Sequence, residues 1–223
     1  IVLKPSELTP RTAELLVHLW QKAELPDGVL NLVQGDRATG ATLASHPLIN
    51  GLYFTGSATT GCYLHEQFSG QPEKILALEM GGNNPLLVTE AKDIQAAVFH
   101  TIQSAYITSG QRCTCARRLI VPEGHAGDRF IEALRKAITQ IQVGAYNLQP
   151  APFMGAMISN TAVDNVVGMA RTLIEQGAQP LVELHRPDPQ HAYLTPGLID
   201  VTKVKNREDK ECFGPLLQVI RVP

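Results

Sequence analysis

Two residues in this sequence stand where covalent chemistry on a carbonyl group could be done. Cys113 lies in Ser109-Gly110-Gln111-Arg112-Cys113-Thr114-Cys115, between a glycine-containing turn and the strand-like run Leu119-Ile120-Val121. A thiol at such a junction is held by regular structure on one side yet stays reachable, and its thiolate is strongly nucleophilic. Upstream, Glu79 sits in Leu78-Glu79-Met80-Gly81-Gly82, where a second strand-like run meets two glycines. A partly buried carboxylate there suits a general base that activates water or deprotonates the thiol. Taken singly, a cysteine is more often a packing residue and a glutamate a solvated or capping one. The chemistry also divides. A thiol that adds to an aldehyde needs a hydride acceptor to go further, whereas a cysteine hydrolase or acyltransferase needs only a base, for which His65, His100 and His125 are available. None of these histidines lies in a nucleophile-type motif. A non-catalytic binding module is the third reading.

The elements that must position these residues follow from periodicity. Residues 1–3 read as a strand, and a helix is expected from Arg11 to Ala23, with apolar residues at 13, 15, 16, 19, 20 and 23. Val29–Val33 is the next strand, then a polar connection over Gly35–Gly40 and a helix over Ala41–Ser45. Leu52–Phe54 is a strand ending at Thr55-Gly56-Ser57, followed by a helix over Thr59–Phe68 and a strand over Ile75–Leu78. Strands alternating with helices predict parallel pairing in a doubly wound sheet. Such sheets bind ligands at the carboxyl ends of their strands, where Lys4, Gly35, Ser57 and Glu79 all fall.

Beyond Gly82 the pattern changes. Asp93 is placed to cap a helix reaching Ile107, strand 119–121 follows the cysteine stretch, and a helix is expected over Gly127–Ile141. Residues 144–153 read as irregular, and Asn160–Gln176 as a helix closed by Gly177. Leu181–Leu184, Leu198–Val201 and Val219–Val222 complete the strands. The glycine pair sets the domain boundary, giving domains over residues 1–81 and 82–223.

Composition narrows the class. Hydrophobic residues make up 44% of 223 residues and charged residues 18%, with no run long enough to span a membrane, so a packed globular core is expected. The net charge of −2 and scattered basic residues speak against a nucleic-acid surface. Cys62, Cys113, Cys115 and Cys212 do not have the spacing of a zinc or haem site, and no metal is expected. Residues as close as Cys113 and Cys115 rarely reach disulfide geometry, which favours a reducing, cytoplasmic setting. Both ends of the sequence read as strands, so a longer polypeptide is expected.

Five signatures occur in one order: Lys4-Pro5-Ser6-Glu7, Phe54-Thr55-Gly56-Ser57, Leu78-Glu79-Met80-Gly81-Gly82, Gly110-Gln111-Arg112-Cys113 and Glu211-Cys212-Phe213-Gly214-Pro215. Together they resemble the motif series of the aldehyde dehydrogenase superfamily, over essentially the whole chain. Likeness is greatest, over Glu79–Pro85 and Tyr106–Val121, to the members that oxidise N-succinylglutamate 5-semialdehyde in bacterial arginine catabolism.

The resemblance implies an α/β fold, with part of a Rossmann-type nucleotide-binding sheet over 1–81 and an α/β catalytic domain over 82–223. It implies Cys113 as nucleophile, Glu79 as general base and NAD as cofactor. Lys4 and Glu7 would hold the adenosine ribose, and acidic Glu7 would repel a 2′-phosphate. The segment Gly56, Ser57, Ala58, Thr59, Thr60 and Gly61 would face the pyrophosphate at a helix N-terminus. Glu211 and Phe213 would hold the nicotinamide ribose and pack near the ring. A small aldehyde as substrate and a homo-oligomer are further implications, with no nucleic-acid or membrane partner.

Three departures stand out. Gly35-Asp36-Arg37-Ala38-Thr39-Gly40 replaces the common Gly-x-Gly, and Gly81-Gly82-Asn83 replaces the common Gly-Gly-Lys. The family's Pro-Trp-Asn-Phe-type motif, whose Asn helps form an oxyanion hole, does not occur; its expected place is before residue 1.

Overall fold

A computed structural model describes residues 1–223, which form two compact units, Ile1–Met80 and Gly81–Pro223.

In the first unit β1 (Val2–Leu3) pairs in parallel with β2 (Asn31–Leu32), and α1 (Pro10–Lys22) joins them. Next, α2 (Arg37–Ser45) leads to β3 (Gly51–Gly56), α3 (Ala58–Phe68) and β4 (Ile75–Met80), and β3 pairs in parallel with β4. The parallel pairing anticipated from the alternation is present, as two separate two-stranded ladders. The register explains the small core. Leu52 faces Leu76 and Phe54 faces Leu78, so their alternating side chains share one side, on which Ala44, Leu64 and Phe68 pack. Helix α2 starts four residues earlier than expected because Asp36 caps it, accepting from the Ala38 and Thr39 amides. Helix α1 departs further from its pattern. Only Ala13 is buried, while Leu15, Leu16, Leu19 and Trp20 stay exposed, because this unit lays no second layer over that face.

The second unit is a three-layer sandwich. Its sheet runs β5–β6–β9–β8–β7, from β5 (Pro85–Leu87), β6 (Arg118–Pro122), β7 (Gln179–Val182), β8 (Gly197–Asp200) and β9 (Leu216–Val222). All neighbours are parallel except β7 and β8. Helices α4 (Ile94–Tyr106) and α5 (His125–Ile138) cover one face, where Tyr106, Leu134, Leu119, Leu198, Leu217 and Val219 are fully enclosed. Helix α6 (Asn160–Glu175) covers the other, packing Val163 and Val166 against Ile199, Val201 and Leu216. Burying each large aliphatic side chain stabilises the unit by about 1.5–3 kcal/mol. Caps fall where the sequence announces them: Asp93 accepts from the Ala96 amide, and Gly177 ends α6 at φ 98°.

Strand β5 was not foreseen. It is short and begins at a proline, and β6 defines it through the register Pro85–Arg118.

Candidate active site

The cysteine stretch is a rigid loop between α4 and β6. A 3₁₀ turn, Ile107–Gly110, follows α4, and three successive residues take left-handed backbone angles: Thr108 and Ser109 at φ 56° and Gly110 at φ 68°. For threonine and serine that conformation is uncommon and costs about 1–2 kcal/mol each. Specific bonds hold it. Ser109 Oγ donates to Gly155 O at 2.8 Å, Arg112 Nε donates to Thr108 Oγ1 at 2.8 Å, and the Gln111 side-chain oxygen accepts from the Ile158 amide at 3.0 Å.

Within this loop Cys113 is exposed, whereas Cys115 is 1% exposed with its thiol aimed at Ile107 O. The chain past Cys113 is tethered from β5's leading segment. Asn84 Nδ2 donates to Cys113 O at 2.6 Å and to Cys115 O at 3.0 Å, and Asn84 O accepts from the amides of Arg117 and Arg118. Its neighbour Asn83, standing where a lysine is common, donates to Asp209 Oδ1 at 3.1 Å, and Arg118 Nε donates to Asn83 O at 2.8 Å.

Glu211 and Phe213 meet the loop through Arg117. This side chain is 0% exposed; it donates to the carbonyls of Gly110 and Arg112 and to Glu211 Oε1, and its guanidinium lies 5.2 Å from the Phe213 ring centre. Gly110 packs so closely on Gly214 that a Cβ there would overlap the Gly214 carbonyl oxygen. Cys212 is enclosed, and burial pushes its thiol up to about 12, with Arg117 opposing and Glu211 adding to the effect, so it stays protonated and unreactive. A cleft of about 590 Å³ opens beside these residues, lined by Gln111, Ile158, Val166, Met169, Glu211 and Phe213.

In the first unit, the carboxyl ends of β3 and β4 bring Ser57 and Glu79 to one edge, in the register Thr55–Glu79 and Gly56–Met80. Ser57 caps α3, accepting from the Thr60 amide at 3.2 Å. That leaves the first amides of the helix, at Ala58 and Thr59, without intrahelical partners and facing outward with the positive helix end. Gly61 is buried against Met80, whose sulfur occupies the place of a Cβ. Lys4 Nζ donates to Pro5 O and Gly35 O, both at 2.7 Å, linking the ends of β1 and β2 and keeping one donor in reserve. Glu7 is exposed on a turn. Glu79 is exposed rather than partly buried, because the end of β4 has no covering layer within its own unit.

Arg117 and Asn84, which support the loop, lie outside the residues that the motifs single out. The signal was there. Two adjacent arginines lead into a strand that alternates inward and outward, so one of them must point inward.

Comparisons with known proteins agree over the whole chain. The aldehyde dehydrogenase family model matches residues 1–223. The chain resembles the crystal structure of methylmalonate-semialdehyde dehydrogenase from Oceanimonas doudoroffii, with 28% identity, TM-score 0.88, and 99% of this chain and 46% of that one covered. It also resembles an NAD-dependent aldehyde dehydrogenase from Sinorhizobium meliloti (31% identity, TM-score 0.88, 99% and 44% covered). A third similar structure is an NADP-dependent enzyme of E. coli (34% identity, TM-score 0.87, 99% and 46% covered). The chain therefore spans less than half the length of these solved relatives.

Proposed function

Because this chain belongs to the aldehyde dehydrogenase family, we propose that it contributes the thiol, the general base and much of the cofactor site of an NAD-dependent aldehyde dehydrogenase. The observation that carries the reading is the contrast along the cysteine loop. Cys113 is the exposed thiol of the loop, on backbone pinned by Asn84, while Cys115 and Cys212 are shut away. The Cys113 thiolate adds to the aldehyde carbon, the bound cofactor supplies a hydride acceptor, and the acyl group is left on sulfur as a thioester. Glu79 then takes a proton from the water that attacks the thioester carbon, the carbon–sulfur bond breaks, and the carboxylate leaves. The solvent-facing position of Glu79 leaves its carboxylate within reach of water.

The residues present fit a dinucleotide. The unpaired amides at Ala58 and Thr59 suit a pyrophosphate, the spare donor of Lys4 suits a ribose hydroxyl, and Glu211 offers a carboxylate acceptor for a second ribose. Exposed Glu7 supports NAD over NADP, since a 2′-phosphate beside a carboxylate is repelled. For the substrate we favour N-succinylglutamate 5-semialdehyde, which would make the intact protein an N-succinylglutamate 5-semialdehyde dehydrogenase. Arg112 supports an acidic aldehyde: it is exposed next to Cys113 and held by Nε, which leaves the outer edge of its fork for a carboxylate. A homo-oligomer in a reducing, cytoplasmic setting completes the proposal.

The test is made on the intact enzyme. Cys113→Ala is expected to abolish aldehyde-dependent NADH formation, and Glu79→Gln to give one burst of NADH followed by stalled turnover. Full NADH production by Cys113→Ala sinks the reading. Rates with succinylglutamate semialdehyde beside simple aliphatic aldehydes, and with NAD beside NADP, decide the finer assignments.

A further inference from the structure

Arg117 has an unusual position for a charged side chain. It is 0% exposed, and every bond of its guanidinium ends on the cysteine loop or on Glu211. Nη1 donates to Gly110 O at 2.6 Å and Nη2 to Arg112 O at 2.9 Å, so the fork grips the loop just before Cys113. Nε and Nη2 also donate to Oε1 of Glu211, at 3.3 and 3.1 Å. A buried guanidinium persists only where its fork is met by acceptors in the right plane, and this one has them from two separate segments.

Glu211 is asymmetric. Oε1 receives both bonds from Arg117, while Oε2 rests against Gly81, where a Cβ would collide with it. The Glu211 side chain keeps 20% exposure, so the carboxylate is fixed at one oxygen and still meets solvent. Bulk packing would not require this arrangement. Any cation would balance the charge, but only a planar fork reaches two carbonyls and a carboxylate together.

We propose that Arg117 is a positioning residue that couples Glu211 to the Cys113 loop. It orients the Glu211 carboxylate to accept from a hydroxyl-bearing ligand, the ribose of a dinucleotide, and it sets the backbone that presents the thiol. Engagement of Glu211 is therefore felt at Cys113, although no direct bond joins the two. This inference rests on the reading of Cys113 as nucleophile and Glu211 as a cofactor-holding residue.

Three measurements on the intact enzyme test it. The first is the alkylation rate of Cys113 by iodoacetamide without cofactor, followed by mass spectrometry of the Cys113 peptide so that exposed Cys62 does not interfere. Glu211→Gln is expected to change that rate by about fivefold or more, the lower range of coupling between linked sites. The second is Arg117→Lys, expected to raise the KM for the dinucleotide about tenfold while the enzyme stays folded, because lysine lacks the fork. The third is the double variant, in which Arg117→Lys adds little to the KM effect of Glu211→Gln.

Cys113 alkylation unchanged in Glu211→Gln, or an unchanged dinucleotide KM in Arg117→Lys, overturns the proposal. If Arg117→Lys does not fold, the labelling of Glu211→Gln decides alone. The underlying reading fails by a different result, NADH formation persisting in Cys113→Ala, which the labelling comparison does not share.

Discussion

Replacing Gly110 by alanine probes how tightly the cysteine loop is held. Gly110 has φ 68°, and a Cβ there would overlap the Gly214 carbonyl oxygen and come within 2.9 Å of Pro215 N. Two penalties combine. An alanine in left-handed backbone costs about 1–2 kcal/mol. The overlap is with backbone, which cannot rotate aside as a flexible side chain would, and overpacking of that kind costs about 1–3 kcal/mol. The sum is roughly 2–5 kcal/mol. Gly177→Ala is the matched control, since its φ of 98° brings the backbone penalty while nothing lies within 4 Å of its Cβ. Urea denaturation followed by circular dichroism, compared at equal slopes, gives both differences. Gly110→Ala should fall below Gly177→Ala by about 1–3 kcal/mol, the overlap alone. It should also speed alkylation of Cys113, because the loop must back away from Gly214–Pro215. Equal destabilisation in the two variants, with unchanged labelling, would refute a loop clamped against that segment.

Three other perturbations report on the same unit. Tyr106 is fully buried and its hydroxyl donates to Gly197 O at 2.9 Å; Tyr106→Phe removes that bond and should lower stability by about 0.5–1.5 kcal/mol in the same urea assay. Asn84→Ala removes the donor to the Cys113 and Cys115 carbonyls, whereas Asn84→Asp sets a carboxylate against both; aldehyde-dependent NADH formation should fall in the order wild type, alanine, aspartate. Asp200 is the pH probe. Burial works against its ionised form, but bonds from Thr202 and Arg221 prevail and hold its carboxyl below the ordinary range. With a depressed folded-state value, its contribution is present above the unfolded value near 3.9 and is lost as pH falls through the folded one. Asp200→Asn should therefore be less stable than wild type at neutral pH and flatten the loss of stability in acid, as read by urea midpoints between pH 7 and pH 2.

What could be read from the sequence was the part governed by local chemistry. Asp93 and Gly177 mark helix ends because caps act within a few residues of themselves. The alternating apolar residues of β3 and β4 likewise report a face that really is packed. The cysteine motif was equally legible, since a glycine and an exposed thiol before a strand are neighbours in the chain. Patterns fail where the deciding partner is distant. Helix α1 has the apolar spacing of a buried helix, yet burial depends on a covering layer, and its own unit supplies none over Leu15, Leu19 and Trp20.

Arg117 makes the same point about the candidate site. An arginine beside another arginine reads as surface charge, and the alternation of the strand that turns one of the two inward does not say what it meets there. Its acceptors come from residues 110 and 112 on one side and from residue 211 on the other, a pairing that only the sheet order β6–β9 brings about. The left-handed run at Thr108 and Ser109 belongs to that arrangement. Two strained residues would relax into ordinary helix or strand if the loop were free, at a gain of about 1–2 kcal/mol each. They persist because Ser109, Gln111 and the Gly110 carbonyl each have a fixed partner in another segment. The loop is therefore held by long-range contacts against its own local preference, and a loop held that way presents its thiol in one direction.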